Sequence, residues 1–148
     1  SCTPLHSLIQ SQSLYAMFML SALSSPTSAS SASLLLVDDD PVMQSFVSRL
    51  LAPDYDVAVV GEAEAAIERL RRHRPDAIVL DLNLPETDGH ALLEQLQSSD
   101  GLDEIPVMVL SGRDGSDERV TSLRLGAQDH LNKPFNPEEL RERLSLLL

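Results

Sequence analysis

Lys133 is the only lysine in a chain whose other ten basic residues are arginines. An ammonium is a compact point charge and a guanidinium is a planar fork, so a chain rich in arginine keeps a lysine where a point charge is needed. Three acidic residues are candidate partners for that charge. Asp38 and Asp39 directly follow one short apolar run, and Asp81 directly follows another. The spacing predicts one site at which carboxylates and a single ammonium meet.

The chemistry of such a site follows from the repulsion between its carboxylates. Two unit charges about 4 Å apart cost roughly 1–4 kcal/mol, so the cluster either raises a pKa or recruits a cation. Mg2+ suits oxygen ligands and keeps positions for water and phosphate oxygens. Asp81 is the candidate nucleophile, because an aspartate carboxylate can attack phosphorus and form an acyl phosphate. Ser111, after a third apolar run, would donate its hydroxyl, and Lys133 would neutralise a phosphoryl oxygen.

The elements that must position these residues alternate along the chain from residue 34. The predicted strands cover residues 34–37, 55–60, 76–80, 106–110 and 128–131, and helices are predicted to begin at residues 41, 62, 88 or 89, 116 and 137. Near-continuously apolar strands that alternate with helices indicate a parallel α/β sheet covered on both faces. Ligands of such sheets bind at the carboxyl ends of the strands, where the strand order reverses. All the candidate residues fall at those ends.

The helix boundaries carry their own signals. Asp40 before Pro41, and Asn136 before Pro137, are predicted N-cap and first helical positions. Gly126 is the predicted C-terminal end of the fourth helix.

Residues 1–33 differ in composition from the rest of the chain. Eleven of these 33 residues are serine, and none is Asp, Glu, Lys or Arg. We expect an extension or linker there, with a short helix over residues 14–23 as one interpretation. A signal peptide is a weaker one, because the positively charged leader is missing. The apolar stretch is ten residues long, too short to span a bilayer.

Charge and cysteine usage exclude some classes of function. A formal net charge of −12 argues against nucleic-acid binding through this segment, which would need clustered basic residues. Cys2 is the only cysteine, so a disulfide framework is excluded and a reducing compartment, the cytoplasm, is expected. No segment predicts a membrane span.

As a set, these motifs resemble the receiver domain of the two-component response-regulator family. The matching segments are residues 35–41, 76–85, 88–89, 109–112, 126–129 and 132–135. The resemblance implies a flavodoxin-like, doubly wound, five-stranded parallel sheet of order 2-1-3-4-5 with five helices over residues 34–148. Such a domain catalyses its own phosphorylation and dephosphorylation, although it is not a conventional enzyme.

The resemblance also implies a role for each site residue. Asp81 would be the phosphoacceptor. Asp38 and Asp39 would be the acidic pair that holds Mg2+ together with Asp81, and the backbone carbonyl of Asn83 would be a further metal ligand. Ser111 would supply the switch hydroxyl, and Lys133 would contact the phosphate. The implied partner is a histidine kinase or a phosphotransfer protein. An output domain in a longer parent chain is also implied, as is a homodimer through the fourth helix, fifth strand and fifth helix.

One position departs from the family pattern. Where the family usually has Tyr or Phe as the aromatic partner of the switch hydroxyl, this chain has His130. An imidazole can change rotamer as an aromatic ring does, but it titrates near physiological pH. We therefore expect switching with an altered pH dependence. The alternative is a surface histidine without a role in switching.

Three other readings of the chain stay open at this point. The first is a degenerate receiver that serves only as a protein-binding module. The second is a phosphatase of the haloacid-dehalogenase kind with Asp38 as nucleophile, although this leaves Asp81 unexplained. The third is a receiver module of a kinase, which would use the same chemistry.

Overall fold

The computed structural model describes residues 31–84, 89–112 and 116–148 of the chain. Its strands are β1 Ala32–Val37, β2 Tyr55–Val60, β3 Ala77–Asp81, β4 Val107–Ser111 and β5 Asp129–Asn132. Its helices are α1 Pro41–Leu51, α2 Ala63–Arg72, α3 Gly89–Gln97, α4 Ser116–Arg124 and α5 Pro137–Leu147. The helix predicted over residues 14–23 lies outside the described residues.

The five strands form one parallel sheet in the order β2-β1-β3-β4-β5, which confirms the predicted fold. β1 pairs with β2 on one side and with β3 on the other, so that Leu36 lies opposite both Val59 and Val79. After β1, the chain forms β2 on one side of this strand and then crosses over to form β3 on its other side. The strand order reverses between β1 and β3, where the carboxyl ends of the two strands lie side by side.

Alternate residues of the strands supply two apolar cores, one on each face of the sheet. Leu35, Ile78 and Val109 pack on one face with side chains of α2 and α3, including Leu70 and Leu93. Their neighbours Leu36, Val79 and Leu110 pack on the other face with side chains of α1 and α5, including Val47 and Leu140. Because the period of a strand is two, this division explains why the central strands are apolar throughout.

Three of the predicted helix boundaries are confirmed. Asp40 caps α1, since its side chain accepts a hydrogen bond from the amide of Val42 at 3.0 Å. Asn136 caps α5 in the same way, with its Oδ1 2.9 Å from the amide nitrogen of Glu138. Gly126 follows α4 with φ = +107°, a left-handed conformation that favours glycine.

Except for β2, the strands differ from their predicted bounds: β1 begins two residues earlier, and β3, β4 and β5 each lie one residue later in the chain. β1 begins at Ala32, and β3 and β4 include Asp81 and Ser111 themselves. The site residues are thus held by the ladder instead of by a loop. Residues 32–148 form one compact unit. Within the described ranges, no helix combines the length and apolar character that a bilayer span requires.

Candidate functional site

Three carboxylates come together at the carboxyl edge of the sheet. One oxygen from each of Asp38, Asp39 and Asp81 lies within 4.8 Å of the others. The ends of β1 and β3 are adjacent, which brings Asp38 beside Asp81. Asp38 is 0% exposed and Asp81 3% exposed, whereas Asp39 faces solvent. We call these three residues, together with Lys133, the acidic corner.

Asp81 is held from two sides. Its Oδ2 lies 3.0 Å from Nζ of Lys133, and its Oδ1 accepts a hydrogen bond from the amide of Asn83 at 3.0 Å. The Lys133 amide donates in turn to the carbonyl of Ser111 at 2.7 Å, which ties the lysine to the end of β4. The peptide bond between Lys133 and Pro134 is cis. The predicted pairing of the ammonium with a carboxylate is present in the structure.

Asp38 differs from Asp81 in having an open oxygen. Its Oδ1 accepts a hydrogen bond from the amide of Asp40 at 2.9 Å, while its buried Oδ2 has no hydrogen-bond partner. Burial raises the pKa of Asp38 to about 6. The hydrogen bond from the Asp40 amide lowers this pKa, the nearby Asp81 carboxylate raises it, and the charge of Lys133 lowers it. Because the acidic corner contains three carboxyl groups and only one ammonium, negative charge exceeds positive charge there.

The acidic corner fits a hard divalent cation. All its candidate ligands are carboxylate oxygens, and one of them is buried without any other partner. The exposed Asp39 keeps the site open to water, as Mg2+ requires because it retains part of its hydration shell. Asn83 lies two residues after Asp81 in the chain and is also exposed. The role of its carbonyl as a metal ligand stays a prediction.

Ser111 and His130 lie on the neighbouring strands β4 and β5. Ser111 is 0% exposed and pairs in register with Asn132. His130 is 1% exposed, so the alternative of a surface histidine is wrong, and neither of its ring nitrogens has a hydrogen-bond partner. Burial lowers the pKa of His130, and the positive charges of Arg119 and His90 lower it further. The carboxylates of Glu118 and Asp129 raise this pKa and partly offset the effect. Burial therefore favours the neutral form of the ring.

Two features of the site have no clear signal in the sequence. The amide nitrogen Nε2 of Gln44, on α1, donates to the backbone carbonyl of Asp38. Phe46 falls at an apolar helical spacing in α1, yet it is 45% exposed and its ring lies 6.2 Å from that of Phe135. Phe46 lines an open apolar groove of about 730 Å3 along α1 and Pro137. Helical periodicity alone does not indicate which apolar positions stay uncovered.

Comparison with known proteins agrees with this geometry. The family described as "Response regulator receiver domain" matches residues 34–145. The response regulator MprA of Mycobacterium leprae is 41% identical over 116 residues, which cover 78% of this chain and 50% of that protein. This chain therefore spans about half the length of the curated relatives it matches.

Two solved structures extend the comparison. The BeF3-activated N-terminal receiver domain of RstA from Klebsiella pneumoniae superposes with a TM-score of 0.70 at 32% identity, over 77% of this chain and 96% of that one. The receiver domain of the sensor histidine kinase PA1611 from Pseudomonas aeruginosa has a TM-score of 0.73 at 30% identity, over 79% of this chain and 97% of that one. That structure has a magnesium ion coordinated in its active-site cleft.

The fold, the acidic corner and the matches define one class of protein: the chain belongs to the response-regulator family and is a receiver domain of two-component signalling. Receiver domains bind Mg2+ in an acidic site of this kind. The haloacid-dehalogenase reading is thereby set aside, because Asp81 and Lys133 both have a place in the receiver site.

Proposed function

We propose that this receiver domain accepts a phosphoryl group on Asp81 from a phosphohistidine donor. The proposed Mg2+ ligands are Asp38, Asp39, Asp81 and the backbone carbonyl of Asn83. One observation carries the proposal: buried Asp81 lies 3.0 Å from the only lysine of the chain and within 4.8 Å of two other carboxylates. A structural salt bridge alone would not need the two additional carboxylates, whose repulsion favours a bound cation.

The transfer makes one bond and breaks one. An oxygen of Asp81 bonds to phosphorus while the P–N bond to the donor imidazole breaks, and the imidazole keeps the electron pair and takes up a proton. Bound Mg2+ would offset the charge of the carboxylates and of the phosphoryl oxygens. Lys133 stays within reach of a further phosphoryl oxygen, because its Nζ already lies 3.0 Å from Oδ2 of Asp81. Hydrolysis of the acyl phosphate returns the free carboxylate.

Phosphorylation would be read out through Ser111 and His130. The acyl phosphate adds charge and acceptor oxygens at the sheet edge, and the Ser111 hydroxyl on the next strand donates to them. His130 would change its position with Ser111 and alter the surface formed by α4, β5 and α5. Its ring is buried without a hydrogen bond to either nitrogen, so no hydrogen bond has to break when the ring moves. A difference of a few kcal/mol in binding is enough to change which state dominates.

A His130→Phe variant tests this part of the proposal. The readout is the Mg2+- and phosphate-dependent change in the amide spectrum of α4 and β5, measured from pH 6 to pH 8. Mg2+ binding by both proteins should vary with pH through Asp38, whose pKa is raised to about 6. Because the pKa of His130 is lowered, we expect the wild type to show an additional pH dependence toward pH 6 that the variant lacks. Identical responses of both proteins over the whole range would contradict the role of His130.

The proposed partner is a histidine kinase or a phosphotransfer protein, which would dock on the apolar groove along α1. The groove begins close to the acidic corner in the chain, because Pro41, one of its lining residues, is the first residue of α1 and follows Asp39 by two positions. Its rim exposes Val42 at 77% and Phe46 at 45%. A Val42→Asp substitution is expected to slow phosphotransfer from a protein donor and to leave labelling by acetyl phosphate unchanged. Equal loss with both donors would contradict docking at this groove.

The remaining proposals concern what surrounds the domain. A homodimer through α4, β5 and α5 is supported by the half-exposed Val120 and Leu123 on α4; a monomer in sedimentation equilibrium after phosphorylation would argue against it. We also propose an output domain in a longer parent chain and a cytoplasmic location, and the family comparison supports both. The acidic composition opposes nucleic-acid binding by the receiver domain itself.

Intact mass spectrometry after incubation with acetyl phosphate and Mg2+ tests the central proposal. One added phosphoryl group is expected on the wild type, and none on Asp81→Asn or in the presence of EDTA. The Asn side chain keeps the shape of the site but cannot form the acyl phosphate. An unlabelled wild type that is fully folded would instead favour a receiver domain that acts only as a protein-binding module.

A further inference from the structure

The peptide group that joins Asp38 to Asp39 is held by a side chain outside the acidic corner. Gln44, one turn into α1, donates a hydrogen bond from Nε2 to the backbone carbonyl of Asp38. On the other side of the same residue, the Asp38 amide donates to the carbonyl of Val60 at 3.0 Å, at the end of β2. The backbone of Asp38 is therefore tied to α1 and to β2 at once.

This contact determines more than the position of one carbonyl. A peptide group is planar, so a hydrogen bond to the Asp38 oxygen sets the orientation of the plane that ends at the Cα of Asp39. The directions in which the two neighbouring carboxylates leave the backbone depend on that plane. Asp39 is exposed and β1 ends at Val37, so the ladder of β1 does not hold Asp39.

Gln44 is itself well placed to act as a fixed donor. Its backbone N–H donates to the carbonyl of Asp40 at 2.8 Å, and its backbone carbonyl accepts from Oγ of Ser48 at 2.6 Å, so the helix fixes the Cα from which the side chain extends. The side chain packs against Gly61, where an added Cβ would lie 3.5 Å from Nε2 of Gln44 and 3.9 Å from the Cα of Asp39. The glutamine amide therefore fills the space between the ends of β1 and β2.

We propose that Gln44 is a positioning residue for the metal site: it holds the Asp38–Asp39 peptide plane in the orientation that directs both carboxylates toward one cation. The inference rests on the proposed function, because it concerns the Mg2+ ligands named there. Gln44 touches neither the phosphoacceptor nor its lysine in the described structure. Its effect should therefore appear in Mg2+ affinity and not in the chemical step at saturating Mg2+.

The test compares Gln44→Met with Gln95→Met. Methionine keeps the length of the glutamine side chain and removes the donor. Gln95 is an exposed glutamine of α3 and serves as the matched control. Mg2+ affinity is measured by calorimetric titration, and the rate of labelling by acetyl phosphate is measured as a function of Mg2+ concentration. For Gln44→Met we expect an Mg2+ dissociation constant and a half-saturating concentration about fivefold higher, with the maximal rate within about twofold of the wild type.

A second readout does not need the metal. The carbonyl carbon of Asp38 and the amide nitrogen of Asp39 should shift in the NMR spectrum of metal-free Gln44→Met and remain unchanged in Gln95→Met. Wild-type protein that binds no Mg2+ would overturn the proposed function, and this inference with it. Wild-type binding that Gln44→Met leaves unchanged would overturn the inference alone, as would a variant that lowers the maximal rate and leaves the Mg2+ midpoint unchanged.

Discussion

The acidic corner and the surroundings of His130 both bury ionisable side chains near the sheet, yet they compensate for burial differently. In the acidic corner, Asp38 and Asp81 lie close together, and the single ammonium pairs with Asp81. His130 is as deeply buried, but neither ring nitrogen has a hydrogen-bond partner. The acidic corner thus concentrates charged groups and keeps one carboxylate oxygen available to a cation. The surroundings of His130 instead favour a neutral side chain. The first arrangement suits ligand binding, and the second suits a side chain that moves.

Burial is the first cause of the pKa shift in both regions, and in both it favours the neutral form. The consequences for stability have opposite signs. The raised pKa of Asp38 destabilises the fold as pH rises from about 4 through about 6, because the unfolded chain releases this proton first. The lowered pKa of His130 destabilises the fold as pH falls below about 6.5, because the unfolded chain takes up this proton first.

The largest expected effect follows from removing the ammonium of the acidic corner. Lys133→Met leaves the buried Asp81 carboxylate without its cation, and breaking a buried pair in this way costs about 3–5 kcal/mol. Urea denaturation of the metal-free protein at pH 7.5 measures the loss, which added Mg2+ should partly reverse. Lys133→Arg, which keeps the charge, is the matched control. An unchanged unfolding midpoint in Lys133→Met would contradict the view that the corner is dominated by charge.

The next effect has the opposite sign. Asp38→Asn removes a carboxylate whose pKa is raised to about 6 in the fold, from 3.8 in the unfolded chain. A shift of about two pKa units corresponds to roughly 3 kcal/mol at most, so the variant should be more stable than the wild type by up to that amount at pH 7.5. The gain should vanish near pH 4, where both states carry the proton. A variant that is less stable at pH 7.5 would contradict this account, whereas loss of Mg2+ binding is expected.

The smallest effect concerns the buried imidazole. His130→Phe removes a polar ring without hydrogen bonds, and we expect a gain of about 1 kcal/mol at pH 7.5. The difference between variant and wild type should grow as pH falls below 6.5, because only the wild type loses stability through this proton. His73→Phe, at an exposed position after α2, is the control and should change little. A difference that is constant from pH 8 to pH 5 would contradict the neutral, buried state of His130.

Much of the fold could be predicted because its signals are local. The apolar runs of the central strands, the caps at Asp40 and Asn136 and the glycine after α4 each depend on a few consecutive residues. The parallel order followed from alternation together with the family resemblance. The meeting of Asp38, Asp81 and Lys133 followed from their shared position at strand ends. None of these predictions required knowledge of a side-chain rotamer.

The remaining features depend on contacts that sequence spacing does not encode. The hydrogen bond from Gln44 to the Asp38 carbonyl depends on the angle between β1 and α1, which the sequence alone does not reveal. The burial of His130 depends on the packing of α4 against β5, and a lone histidine in a strand is equally compatible with an exposed edge. The exposure of Phe46 similarly depends on α5, which leaves that part of α1 uncovered.

The position of β1 between β2 and β3 also affects the order of events in folding. β1 is complete only when β3 pairs with it, and one contact of that pairing, from the Ser33 amide to Asp76, spans 43 residues. Pairings between distant segments form slowly, since the loop between them must first close. The acidic corner needs a third distant segment, β5 and the lysine that follows it. The lysine contact is therefore acquired late, whereas the carboxylates that would hold a cation need only β1 and β3 to pair, so Mg2+ uptake during refolding would report the pairing of these two strands.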